Sequence, residues 1–196
     1  MVRRVKETEK TRPSSVVPSE SVVFGFFCGQ ENRLVPHIVS ELQQGRKQLY
    51  IPVLLYGPAG VGKTLLATGI ENAIQHEFRR RRVYRATAQD LSHDFADAAE
   101  SDRVAELRQQ LLQASVVIVE DVENLAGREL VQRELLRLLD VAVERGRAVL
   151  FTANSPPGEW TQLRPMFVSR VLCGLNVRLQ PPSYTTRCRL IRYWTM

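Results

Sequence analysis

The stretch Gly57-Pro58-Ala59-Gly60-Val61-Gly62-Lys63-Thr64 satisfies G-x-x-x-x-G-K-[ST] at each fixed position. It follows the apolar run Ile51-Pro52-Val53-Leu54-Leu55-Tyr56 and precedes Leu65-Leu66-Ala67-Thr68-Gly69-Ile70. The first reads as a buried parallel strand and the second as the apolar side of a helix. That context makes the pattern a phosphate site rather than an ordinary glycine-rich turn. Glycines allow close backbone approach, so successive N–H groups through Leu65 line an anion nest at a helix N-terminus. Lys63 is expected to hold the β- and γ-phosphates, with the Thr64 hydroxyl on Mg²⁺. The sequence therefore predicts a nucleoside triphosphate site.

A second motif supports the first. Ser115-Val116-Val117-Ile118-Val119 is β-branched enough for a strand buried on both faces, and it ends in Glu120-Asp121. An apolar strand ending in acids is the Walker B pattern. One carboxylate orders Mg²⁺, here Glu120, and the next, Asp121, polarises the attacking water. Ala148-Val149-Leu150-Phe151-Thr152 reads as a further strand, beside the Walker B strand, that ends near Asn154. Asn154 is thereby expected beside the terminal phosphate. The fold class that follows is α/β, a three-layer α/β/α sandwich around a parallel sheet of about five strands. Its right-handed crossovers are expected to set the phosphate loop and Walker B on adjacent central strands.

The rest of the chain fills in that frame. Residues 1–21 mix Arg, Lys, Glu, Ser and Pro without apolar periodicity and read as a disordered basic arm. A helix is expected from about Glu31 to Leu42, with Leu34, Ile38, Val39 and Leu42 on one face. Arg79-Arg80-Arg81-Arg82 either complements a helix dipole or forms a nucleic-acid patch. Val83-Tyr84-Arg85-Ala86-Thr87 reads as a strand, and two short helices follow across residues 88–112. A long helix from about Arg128 to Arg145 has Leu130, Leu135, Leu138, Leu139 and Val143 as its core side. Arg170 falls on a short helix, Asn176 to Leu179 alternates like an edge strand, and Thr185 opens a last helix.

Composition bounds the setting. With 44% hydrophobic residues the 196-residue chain can bury a full core, and its net charge of +6 suits a polyanionic partner. Its three cysteines and three histidines are scattered without metal-ligand spacing. No run approaches the roughly 18 apolar residues of a membrane span, and the expected location is cytoplasmic.

Taken together, these pieces resemble the AAA+ ATPase domain of the bacterial replication initiator family, DnaA. The resemblance spans about Phe24 to Ile191. It is carried by Gly29-Gln30-Glu31-Asn32-Arg33-Leu34, the phosphate loop, Val83-Tyr84 and Phe95, Val116 to Val122, Leu125-Ala126-Gly127-Arg128-Glu129, and Gln180-Pro181-Pro182 with Arg187. It implies an AAA+ domain over residues 22–182 with a two-helix insertion near 88–112 that engages single-stranded DNA. Residues 183–196 would open a lid helix that the chain does not complete. It further implies that the site takes ATP or ADP and that Arg170 reaches a neighbouring subunit's γ-phosphate, so that ATP promotes assembly into a homo-oligomer or with a full-length initiator.

Several positions depart from the family. Glu120 stands where the metal-ordering Asp is usual, Asn154 where an Asp is usual, Met166 for an arginine and Val171 for a phenylalanine. A side chain one methylene longer fits poorly with the strict geometry of Mg²⁺, so slow hydrolysis is expected. Three readings stand: an initiator-like ATPase that assembles on DNA, an Hda-like regulatory module acting on an initiator, and a homologue that binds without hydrolysing.

Overall fold

The computed structural model describes residues 21–44, 50–77 and 81–195. The arm over residues 1–20, the expected break at Gly45 to Lys47, and Arg79 and Arg80 lie outside those residues. Ser21, expected at the end of the arm, instead opens strand β1 (Ser21–Val23), which pairs antiparallel with β2 (Phe26–Cys28). A 3-10 turn over Gln30–Asn32 leads into α1 (Val35–Gln44). The helix starts later than the periodicity suggested, so Leu34 precedes it and stays 51% exposed.

Five strands form one parallel sheet. They are β3 (Val53–Tyr56), β4 (Val83–Thr87), β5 (Val116–Glu120), β6 (Ala148–Ala153) and β7 (Leu175–Arg178), in the order β4-β5-β6-β3-β7. The expected adjacency of the phosphate-loop strand and the Walker B strand is corrected here, because β6 lies between β3 and β5. The long crossover through α2 (Lys63–Glu77) carries the chain past two strand positions to β4. The chain then returns inward through β5 and β6 and passes β3 to place β7 at the opposite edge. Nothing in the apolar pattern encodes how many positions a crossover skips.

The central strands β3, β5 and β6 are buried on both faces, and the two-residue period of a strand sorts their side chains between two cores. Val53, Leu55, Val116, Ile118 and Leu150 face a layer built by α1 and α2, whose Leu42, Leu66, Ile70 and Ile74 are fully buried. Leu54, Val117, Val119, Val149 and Phe151 face the other layer. That layer contains α3 (Ala88–Glu100), α4 (Val104–Gln113), α5 (Glu129–Arg145) and α6 (Pro165–Leu172). On α5 the buried stripe is Val131, Leu135, Leu138, Leu139 and Ala142, whereas Val143 in the last turn is 46% exposed. The last helix, α7 (Tyr184–Trp194), is capped by Ser183, whose side chain accepts from the Thr186 N–H.

One buried charge fastens the helix pair α3–α4 to the rest. Glu134 on α5 has a side chain only 1% exposed, and its two oxygens accept from Arg108 on α4 at 2.5 and 3.0 Å. Arg137 adds a third bond at 2.9 Å. Burial alone raises the carboxyl's pKa, but the hydrogen bonds and charge of Arg108, then the charge of Arg137, outweigh it and leave the pKa below its ordinary value. A carboxyl depressed in the folded state contributes stability above its unfolded value of 4.5 and loses that contribution as pH falls through the lower folded value. We expect Arg108→Met to cost about 2–3 kcal/mol in urea unfolding at pH 7, because a buried carboxylate then depends on Arg137 alone. The difference between variant and wild type should shrink as acid protonates Glu134. An acid-independent difference would show that Arg108 acts through packing.

Candidate nucleotide site at the carboxyl edge of the sheet

The loop that leaves β3 at Tyr56 crosses the carboxyl edge of the sheet before α2 begins at Lys63. Two of its glycines are required by geometry. A Cβ on Gly57 would lie 2.4 Å from the Leu179 carbonyl oxygen, where the end of β7 passes the loop. Gly62 has φ +102°, and a Cβ there would meet the Phe26 ring at 2.7 Å. With Gly60 at φ +77° the backbone wraps into an open concavity in which added atoms would meet nothing. Pro58, Ala59, Gly60, Thr64 and Leu65 are exposed along it, while Gly57 and Val61 are buried. Leu66 is the first residue to return a helical N–H, to Gly62 at 3.0 Å. The first-turn N–H groups of Lys63, Thr64 and Leu65 therefore point outward without intrahelical acceptors. This cradle fits a phosphate group.

The Lys63 ammonium sits in the mouth of the cradle. It donates to the Gly57 and Pro58 carbonyls at 2.7 and 3.0 Å and to Asn154 Oδ1 at 2.9 Å. Burial pulls its pKa down, and the charges of Asp121 and Glu123 oppose that shift. Asn154 thus reaches the loop from the neighbouring strand. Its amide nitrogen also donates to Glu123 at 2.7 Å and to Asp121 at 3.4 Å, and its backbone N–H donates to the same Glu123 oxygen. Asp121 follows β5 in the left-handed region (φ 54°, ψ 49°), with its N–H bonded to the Thr152 hydroxyl at 3.1 Å. Burial, then the nearby charges of Glu123 and Glu120, raise the Asp121 pKa despite Lys63 and Asn154.

Glu120 departs from expectation. By strand parity its side chain lies on the α2 face of the sheet, beside Arg85 from β4. Arg85 donates to Glu120 Oε1 through Nε at 2.8 Å, its terminal nitrogen lies 2.7 Å from the same oxygen as an ion-pair contact, and it bonds Glu71 on α2 at 3.1 Å. Glu120 is therefore the buried partner of an arginine, not a free carboxylate. Among the described residues no group of three His, Cys, Asp or Glu side chains is arranged to hold a metal ion. Of the two residues expected at Mg²⁺, Thr64 is exposed in the first turn of α2 and Glu120 is paired with Arg85.

Arg170 stands apart. It lies in the last turn of α6, which leads into β7 at the edge where the strands begin, opposite the loop. Within one chain it pairs with Asp140 on α5. The sequence reading missed Glu123, Arg85 and Glu71. Glu123 lies two residues beyond the acids of the motif, in the 3-10 turn Val122–Leu125, and one of its oxygens is buried without a partner. A cation in the middle of the Val83 to Thr87 strand was the available signal for Arg85.

Charge divides the two-helix segment. The outer surface of α3, α4 and their junction exposes Asp90, Asp94, Asp97, Glu100, Asp102 and Glu106. At the carboxyl edge, by contrast, Gln89, Ser92, His93, Asn124 and Arg128 line a polar recess.

The GxxNRL and QPP segments also meet. Asn32 donates to the Gln180 carbonyl at 2.8 Å and accepts from its N–H at 2.9 Å, while Glu31 accepts from the Ser183 N–H at 3.0 Å. The Asn32 bonds tie the turn before α1 to the segment after β7, next to the phosphate loop.

Comparison with known proteins follows this geometry. The replication initiator DnaA of Limosilactobacillus reuteri is 27% identical over 167 residues, covering 85% of this chain and 38% of the relative. This chain therefore spans well under half of that protein. Domain III of the Thermotoga maritima replication initiation protein DnaA superposes with a TM-score of 0.78 at 26% identity, over 87% of this chain and 71% of that one. A replication initiator DnaA bound to AMPPCP and single-stranded DNA gives a TM-score of 0.81 at 24% identity, over 88% of this chain and 53% of that one, a likeness of fold. The family model of the bacterial DnaA ATPase domain matches residues 20–178, and the chain belongs to that family.

Proposed function

We propose that this chain is an ATP-binding module of the replication initiation machinery that uses its nucleotide mainly as an assembly signal. The observation that carries the reading is the Lys63 ammonium, held at the mouth of an open glycine cradle by two loop carbonyls and Asn154. A triphosphate supplies the anionic oxygens for which these donors are arranged. Outward N–H groups of Lys63, Thr64 and Leu65 bind it, and Lys63 exchanges carbonyl partners for phosphate oxygens. Asn154 orients the terminal group, and Asp121 and Glu123 sit where a water would be polarised. The motif's first acid, Glu120, is held by Arg85 at one oxygen, which favours slow hydrolysis over rapid turnover.

Assembly with other copies of the chain, or with a full-length initiator, would use Arg170. Its pairing with the exposed Asp140 is a surface ion pair, worth at most about 1 kcal/mol, and is readily exchanged for a neighbour's phosphate. A solved DnaA with AMPPCP and single-stranded DNA supports both ligands for the family's architecture. The acids on the outer face of α3 and α4 repel a polyanion, so we assign single-stranded DNA to the recess at Arg128, His93 and Gln89.

Two substitutions test this reading. Lys63→Ala should weaken binding of a fluorescent ATP analogue about tenfold to a hundredfold, the value of a lost charge-assisted bond, with the circular dichroism spectrum unchanged. Unaltered affinity would remove the phosphate-loop assignment. Arg170→Ala should bind ATP as the wild type does but fail to form ATP-dependent oligomers in sedimentation velocity. Oligomers of wild-type size would make Arg170 an ordinary surface residue.

A further inference from the structure

The environment of Glu120 is at odds with the metal that its position in the motif implies. A carboxylate that orders Mg²⁺ must present its oxygens to the hydrated ion, which demands near-ideal octahedral geometry and gives up water reluctantly. Glu120 instead accepts at Oε1 from Arg85 Nε, with an Arg85 terminal nitrogen 2.7 Å from the same oxygen and the Glu120 side chain 5% exposed. The sheet register makes this pairing possible. Arg85 and Glu120 lie on the same face of adjacent strands, separated by one side-chain repeat, because Thr87 is the residue directly opposite Glu120. The extra methylene of Glu over Asp lets the carboxylate reach sideways to that guanidinium. Glu71 then braces Arg85 from α2 at 3.1 Å. A guanidinium remains charged at all working pH values, so the pair is not released by titration. For a metal to take Glu120 Oε1, Arg85 would have to surrender its charge-assisted bond to that oxygen.

We propose that Arg85 takes the place of the metal at Glu120, so that this chain binds its nucleoside triphosphate with little dependence on Mg²⁺. The inference rests on the nucleotide-binding reading above. Glu120 is then a structural anion that fixes Arg85 between β4, β5 and α2. The loop N–H groups and Lys63 carry the phosphate charge unaided.

The test uses the full chain as wild type, Glu120→Gln and Arg85→Met, titrated with a fluorescent ATP analogue in EDTA and in excess Mg²⁺. Gln at 120 retains an oxygen to accept from Arg85, so the fold is preserved while the charge is removed. The wild type and Glu120→Gln should each show affinities within about threefold between the two buffers, a difference under 1 kcal/mol. Arg85→Met exposes two unpaired carboxylates and should gain a Mg²⁺ preference of about tenfold or more. A wild-type Mg²⁺ preference above about tenfold that Glu120→Gln abolishes would overturn the proposal. Thermal melting of the nucleotide-free proteins gives a separate readout. The wild type should melt at the same temperature in EDTA and Mg²⁺, and a Mg²⁺-induced rise lost in Glu120→Gln would also overturn the proposal. Absence of nucleotide binding in both buffers would instead remove the nucleotide reading, leaving the melting comparison to decide how Glu120 is held.

Discussion

Burial of both faces of the central parallel sheet is the constraint on which the rest of this protein depends. Val116 to Val119 and Leu150 to Ala153 have no solvent-facing side, so polar chemistry is pushed to the strand ends, where the apolar runs stop. At the carboxyl edge those ends deliver Glu120 and Asp121 from β5, Asn154 from β6 and the glycine loop from β3. Parallel direction makes this convergence automatic, because all strands finish on the same side. The interposed β6 has a further consequence. It puts Asn154 between the loop and the acids, where one amide bonds Lys63 through its oxygen and Glu123 and Asp121 through its nitrogen.

The electrostatics of the edge divide into two compartments. Lys63, Asn154, Asp121 and Glu123 form a group open to the cradle, in which the ammonium is partly desolvated and two carboxylates hold it charged. On the α2 face of the sheet, Arg85, Glu71 and Glu120 form a second group joined by ion pairs, from which the Glu120 charge still acts on Asp121. Consecutive residues of one motif, Glu120 and Asp121, fall into different compartments. Glu120 ends the strand pairing and obeys its parity, whereas Asp121 turns into the left-handed region and breaks it.

Two further contacts join segments far apart in the chain. Asn32 clasps the backbone of Gln180, and Glu134 gathers Arg108 and Arg137. The first holds the turn before α1 against the strand end that touches Gly57. The second holds the helix pair with its acidic outer face against α5. Both use a buried polar side chain with its hydrogen bonds satisfied, the condition under which such a group stabilises rather than costs.

The sequence by itself determined the elements and the cradle. Glycine spacing, the β-branched run before two acids, and helical periodicity from Leu130 to Leu139 are local properties of the chain, and local physics is what such patterns report. Those features sufficed for the α/β sandwich and for a glycine loop that leads from β3 into α2 at Lys63. Strand order, the exposure of Leu34 and Val143, the pairing of Arg85 with Glu120, and the place of Glu123 were decided by tertiary structure. Each depends on which strand a crossover reaches and which face a side chain then shares with its neighbours. A residue's partner across a sheet is fixed by register between distant segments, and no single stretch of sequence carries that information.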